Sequence, residues 1–223
     1  MEPRIGALVV GQSPRLEVDE EFQRLAKGSA QLVLKGALDG FSRDELELFQ
    51  PVDNKDALFT RLPSGEGISL SKKKVISNGA DKLNELKMSG VDVVIMLCTG
   101  TFPEWQDFKG VLFPSNTLSS MVKGCLQTGK ICVFSPLQRQ CAASQLRWEE
   151  NGYDVVSLSL LPNATKEEAV LAGQAAGRHD LDLIILDCIS YTNETKKVIR
   201  ETAGVPVILG LSSAIRTALE MVE

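Results

Sequence analysis

Two stretches of this chain join an apolar run to a cysteine and then to a polar loop. Residues 92–102 read DVVIMLCTGTF and residues 182–191 read DLIILDCISY. Aligned on Asp92 and Asp182, Cys98 and Cys188 coincide, both pairs being 90 residues apart. An apolar run too short for a typical helix and ending in a polar loop predicts a buried parallel strand. The pattern therefore places two cysteines at the carboxyl ends of two equivalent strands, where open parallel sheets bind ligands. Thiolate is a proton base and a nucleophile. Two thiols on one small molecule suit removal of a proton from one face of a carbon and its return on the other.

Other candidates are weighed beside the pair. Asp187 falls on the opposite face from Cys188 in a regular strand, and its counterpart is Leu97. It is either a buried structural acid or a helper to the site. Ser190 and Tyr191 bind substrate or pack the loop. Cys132 within a strand and Cys125 on an apolar helix face are expected in the core, and Cys141 has no assigned place. His179 is expected at the surface or at a helix end.

The elements that position the cysteines follow from the pattern of the chain. Ile5–Val10 is a strand leading to Gly11-Gln12-Ser13-Pro14, where serine suits a helix N-cap and proline the first helical position. A helix is expected from about Pro14 to Lys27. Leu32–Leu34 begins a second strand, followed by the turn-rich Gly36–Gly40. Ser42-Arg43-Asp44-Glu45 and Thr165-Lys166-Glu167-Glu168 have capping-box spacing, each opening a helix. Ala57–Leu62 and Ile68–Leu70 flank PSGEG as a hairpin, and Ser71 caps a helix to Lys87. Lys72-Lys73-Lys74 reads as a solvated first turn. The helix dipole disfavours cations there, so an acidic neighbour or an anionic ligand is the alternative. Thr117 and Ser213 open further helices, and Val205–Leu209 is the last strand.

The halves repeat one another. A strand ends in Ser-Pro at Ser13 and at Ser135, and a strand ends in cysteine at Cys98 and at Cys188. The two landmarks lie 85 residues apart in the first half and 53 in the second, a difference that fits the hairpin and its flanks. The expected fold is α/β, two pseudo-symmetric lobes with parallel sheets and a β-hairpin insertion in the first lobe. The lobes span residues 1–116 and 117–223, and the last helix is a candidate to cross back to the first. Each Ser-Pro places a helix N-terminus, a ready anion site, at the same sheet edge as its cysteine. Two such lobes facing each other would hold a small carboxylate with one thiol on either side.

Composition narrows the classes. In 223 residues, 43% hydrophobic, Lys and Arg number 24 against 29 Asp and Glu, a net charge of −5. Neither nucleic acid nor membrane is a partner implied by that balance. The apolar run near the start is too short and too early for a signal peptide. Five cysteines and one histidine, with no CxxC pair, point to neither a disulfide framework nor a zinc site, and to a reducing cytoplasm.

Five motifs carry a family resemblance: GQSPR from Gly11, GALDGFS from Gly36, RLPSGEGISLSKKKV from Arg61, LCTGTFP from Leu97 and LDCISYT from Leu186. Together they resemble the AroM family over nearly the whole chain. More distantly the chain resembles the cofactor-independent aspartate/glutamate racemase superfamily, through its strand-end cysteines in paired lobes. The resemblance implies an Asp/Glu racemase-like fold with Cys98 and Cys188 as the acid/base groups. It implies Ser13, Thr99, Gly100, Ser135 and the loop at Ser190 as ligand-contacting positions, with Tyr191 beside them. Racemases have Cys-Asn-Thr where this chain has Cys98-Thr99-Gly100. Glutamate racemases follow the second cysteine with threonine and histidine, here Ile189 and Ser190. The expected protein is a racemase-like isomerase of a small carboxylate, without metal, pyridoxal phosphate or other cofactor. Decarboxylation or cis–trans isomerisation at the same site, or non-catalytic binding of a small acid, are the alternatives. Assembly into a homo-oligomer is left open.

Overall fold

The structure is a computed structural model that describes residues 2–223. The first half runs β1 (Arg4–Val9), α1 (Leu16–Ala26), β2 (Gln31–Gly36), α2 (Arg43–Glu47), β3 (Ala57–Arg61), β4 (Gly67–Ser71), α3 (Lys72–Met88), β5 (Val93–Leu97), β6 (Val111–Leu112) and α4 (Pro114–Cys125). The second half runs β7 (Lys130–Ser135), α5 (Gln138–Glu149), β8 (Asp154–Ser159), α6 (Lys166–Ala176), β9 (Leu183–Leu186), α7 (Asn193–Ala203), β10 (Val207–Leu209) and α8 (Gly210–Glu220). Two compact units result. One is built from the residues up to Ser115 together with Ala214–Glu223, the other from Asn116–Ser213.

Each unit holds one four-stranded parallel sheet. The orders are β2-β1-β5-β6 and β8-β7-β9-β10, so the same topology is built twice. Every residue of β5 and β9 is buried, as parallel strands covered on both faces require. Val9 pairs with Leu97 in the first sheet and Phe134 with Leu186 in the second. In each, the residue after the cysteine-bearing strand thus emerges beside the loop that carries Ser-Pro. The antiparallel hairpin β3–β4 belongs to the first unit.

Local signals account for most boundaries. Ser42 and Thr165 accept hydrogen bonds from the N–H groups of Glu45 and Glu168, and both glutamates bond back to the capping residue. Ser71 accepts from the Lys74 N–H at 3.4 Å.

Some expectations are corrected. α1 and α5 each begin two residues after the proline, at Leu16 and Gln138, with Arg15 and Leu137 extended at the N-cap. Ser13 is therefore not a helix cap, because the helix begins beyond it with Arg15 at the N-cap, while Ser13's own donors turn to Asp39. α4 begins at Pro114 and α8 at Gly210, earlier than Thr117 and Ser213. A proline in the first helical turn costs no hydrogen bond, and Ser213 turns its hydroxyl back to the Gly210 carbonyl at 2.9 Å. Cys125 is exposed rather than in the core. The buried face of α4 stops at Val122, and Cys125 is the helix's last residue.

Candidate functional site

In the first unit the carboxyl edge of the sheet is closed by a network around one aspartate. The loop after β2 runs back over the end of β1, with Ala37 N–H donating to the Val9 carbonyl and Leu38 N–H to the Gly11 carbonyl, at 2.8 and 3.0 Å. This delivers Asp39 to the Ser-Pro loop. Its carboxylate accepts from the Ser13 N–H at 2.7 Å, the Ser13 hydroxyl at 2.8 Å and the Gly36 N–H at 2.7 Å. Gly36 has no room for a side chain, since a Cβ there would meet Asp39 Oδ1 and the Gly11 carbonyl oxygen at 2.5 Å. Ser13, expected to contact a ligand, thus spends its N–H and hydroxyl donors on the chain's own carboxylate.

A second aspartate answers the three lysines that open α3. Asp56 is buried and accepts from the Lys73 N–H at 3.0 Å and the Val52 N–H at 3.2 Å. Burial alone would raise its pKa. The N–H of Lys73, the Ser71 hydroxyl, the N–H of Val52 and the Lys73 charge outweigh burial and hold the carboxyl below its ordinary value. The acidic neighbour foreseen for this helix start is Asp56.

Cys98 lies one residue past β5, with its N–H donating to the Met96 carbonyl at 2.7 Å. This tight turn swings the chain so that the Gly100 N–H donates to Cys98 Sγ at 3.3 Å. Thr99 and Gly100 are both half-buried beside it. The second unit repeats the device. Cys188 follows β9 by two residues, and the Ser190 N–H donates to Cys188 Sγ at 3.4 Å. In both units, then, a half-buried sulfur receives the backbone N–H two residues on. Such a donor favours negative charge on sulfur over the neutral thiol.

The surroundings of the two sulfurs differ. Asp187 is buried and accepts from Trp148 Nε1 at 3.1 Å and the Ser144 hydroxyl at 3.5 Å, and it is ion-paired with Arg147. All three partners lie on α5, so Asp187 ties that helix to the end of β9. Ser135 ends β7, buried, with its carbonyl accepting the Leu160 N–H at 3.0 Å. Tyr191 is fully buried and its hydroxyl donates to the Leu160 carbonyl at 2.6 Å. Burial pushes its phenol well above the usual range, with Cys188 and Asp187 adding to the effect. Tyr191 thereby fastens the Cys188 loop to the end of β8. Ser190 is buried in that loop.

The first unit accordingly brings Ser13, Cys98, Thr99 and Gly100 to one sheet edge, and the second does the same for Ser135, Cys188, Ser190 and Tyr191. Of the remaining thiols, Cys125 is exposed at the end of α4, while Cys132 and Cys141 lie near enough to Tyr191 to add to the rise of its phenol. Cys132 is buried within β7, its thiol pushed up to about 12 by burial and by Cys141. Cys141 is buried on α5. Sequence reasoning missed Asp39, Asp56 and the Arg147 partner of Asp187. The usable signals were the aspartate three residues after Gly36 and the uncompensated lysines. Among the described residues, no group of three or more His, Cys, Asp or Glu is placed to hold a metal ion. No helix among them is long and apolar enough to cross a membrane.

The fold is shared with solved enzymes at low identity. Arylmalonate decarboxylase is 16% identical with a TM-score of 0.64, covering 98% of this chain and 92% of that one. Maleate cis–trans isomerase of Nocardia farcinica is 13% identical with a TM-score of 0.66, covering 98% and 92%. Allantoin racemase of Klebsiella pneumoniae is 15% identical with a TM-score of 0.56, covering 98% and 86%. These likenesses establish the Asp/Glu racemase-like fold. No curated protein matches the sequence. The AroM protein family matches residues 5–222. A match over that extent makes this chain a member of the AroM family.

Proposed function

We propose that the protein is a racemase-like isomerase acting beside the carboxylate of a small acid, with Cys98 and Cys188 as its proton-transfer groups and no cofactor. One observation carries this reading. Two topologically equivalent strands are each followed within two residues by a cysteine, and each sulfur receives the N–H two residues further on, at 3.3 and 3.4 Å. Core packing alone has no need of that repetition. In the proposed reaction one thiolate removes the proton from the carbon next to the carboxylate. The thiol on the other face returns a proton, so the two sulfurs exchange protonation states in each turnover. The carbanion is high in energy and needs hydrogen-bond donors where its charge develops. The Thr99-Gly100 and Ser190 loops would supply them from groups other than the Gly100 and Ser190 N–H, which already reach the sulfurs.

A second reading has its own observation. Cys188 follows a buried carboxylate, Asp187, ion-paired with the half-exposed Arg147, whereas Cys98 follows Leu97. Unequal thiols suit chemistry in which one cysteine attacks or protonates alone, as in decarboxylation or cis–trans isomerisation. Among neighbours of this fold, a Nocardia farcinica maleate cis–trans isomerase mutant carries a covalently bound succinylcysteine intermediate.

The test is a panel of small carboxylic acids incubated with the protein in heavy water and followed by proton NMR. Isomerisation by proton transfer predicts deuterium at the carbon next to the carboxylate of at least one acid. Loss of carbon dioxide or a change of double-bond geometry without that exchange supports the second reading. Saturable binding of an acid with no chemical change would leave a binding protein and refute both.

A further inference from the structure

The hairpin is the part of the first unit that the repeat does not explain, and it reaches the Cys98 loop at two places and the Ser-Pro loop at a third. Thr60 is buried and takes a hydrogen bond from Arg15 Nη1 at 3.1 Å. A Cβ on Gly11 would stand 2.8 Å from its hydroxyl and methyl. Leu58, two residues back and so on the same face of β3, lies against Gly100, whose Cβ would be 3.6 Å from Leu58 Cδ2. Directly after β4, Lys72 holds its ammonium over the ring of Phe102, 5.3 Å from the centroid.

That ring is fixed. Phe102 is fully buried and stacks on Trp105 with centroids 5.0 Å apart. Its edge reaches the place a Gly100 Cβ would occupy, which also lies 3.4 Å from Cys98 Sγ. Lys72 is therefore linked to the sulfur through two residues of one loop. Lys35, Lys82 and Lys130 each have a carboxylate partner. Among the described residues, no carboxylate lies within ion-pair distance of Lys72. Lys74 and Lys87 also rest on rings, Phe49 and Phe108; Phe108 belongs to the same β5–β6 connection but stands ten residues past Cys98, whereas Phe102 also touches the Gly100 position beside the sulfur. The backbone donors that open α3 are met by Asp56 and Ser71, so what this corner still offers an anion is the Lys72 ammonium.

We propose that Lys72 binds the acidic group of the substrate in the Cys98 half-site, with the hairpin as the element that positions it and Leu58 as an apolar wall beside Gly100. This rests on Cys98 being the proton-transfer group proposed above. A cation held on the Cys98 loop, over Phe102, should speed the reaction of Cys98 with an anionic reagent over a neutral one. The experiment measures alkylation of Cys98 by iodoacetate and by iodoacetamide, resolved by peptide mass mapping, in wild type, Lys72→Gln and Lys72→Arg. The iodoacetate-to-iodoacetamide ratio at Cys98 should fall about three- to tenfold in Lys72→Gln, as expected for loss of one nearby partly solvated charge. It should hold in Lys72→Arg, and the difference should narrow at high salt. Any change in thiolate fraction alters both reagents' rates alike and cancels in the ratio, and the ratio at exposed Cys125 should not move. An unchanged ratio in Lys72→Gln, with Cys98 still reactive to iodoacetamide, overturns the assignment of Lys72 alone. A Cys98 that resists iodoacetamide in the wild type overturns its proton-transfer role, and the assignment of Lys72 with it.

Discussion

Replacing Asp39 by alanine removes one carboxylate that accepts three hydrogen bonds, from the Ser13 N–H, the Ser13 hydroxyl and the Gly36 N–H, at 2.7, 2.8 and 2.7 Å. Gly36 is buried, whereas Ser13 and Asp39 are half-buried, so water replaces part of what is lost. At about 1 kcal/mol net per bond, and more for a buried donor left unmet, the loss is about 2–3 kcal/mol. For a chain of this size that lowers Tm by about 5–10 °C. Asp39→Asn should recover little. Oδ2 serves two donors and Oδ1 the third, and an amide keeps only one oxygen. The vacated donors form an anion site, so formate should raise the Tm of Asp39→Ala more than that of wild type, at ionic strength matched with chloride. Circular dichroism melts of the three proteins with and without formate measure this. A Tm for Asp39→Ala within about 1 °C of wild type would refute the network's energetic role. An equal effect of formate on both proteins would show that the donors are not held ready for an anion.

Other outcomes follow from burial and charge. Under limiting iodoacetamide at neutral pH, Cys98 and Cys188 should be modified before exposed Cys125, and Cys132 and Cys141 should resist; Cys125 reacting first would mean the strand-end thiols are not activated. Asp56 has a folded pKa below the ordinary 3.8, so its contribution is present above that value and is lost as pH falls through the folded one. Urea midpoints at pH 7 and pH 3 should therefore differ less in Asp56→Asn than in wild type, and equal differences would place Asp56 outside the acid response.

Features set by neighbours in the chain were legible in the sequence, and features set by distant partners were not. The capping boxes at Ser42 and Thr165 span four residues and form as spelled. Both cysteine strands were visible because a buried parallel strand must be apolar throughout, so the first polar loop marks its end. Ser13 has the chemistry of a helix cap, yet α1 begins beyond it at Leu16, and its donors go to Asp39, 26 residues on. Asp187 finds Arg147 on a helix 40 residues earlier, a pairing that no local spacing encodes. Cys125 sits among apolar neighbours, but the helix ends there and its last turn faces solvent. The lysines at the start of α3 were out of place for the dipole, and that mismatch did mark an anion, found in Asp56 one hairpin upstream.

The most direct measurement of the central claim is proton exchange by the cysteine variants, on an acid that the wild type isomerises. In heavy water, wild type should place deuterium at the carbon next to the carboxylate and interconvert the two forms. Cys98→Ala and Cys188→Ala should each lose interconversion, while each remaining thiol still exchanges the form it faces. The double variant, Cys98→Ala with Cys188→Ala, should do neither. Full activity in that double variant would contradict the account and return both cysteines to the role of packing residues.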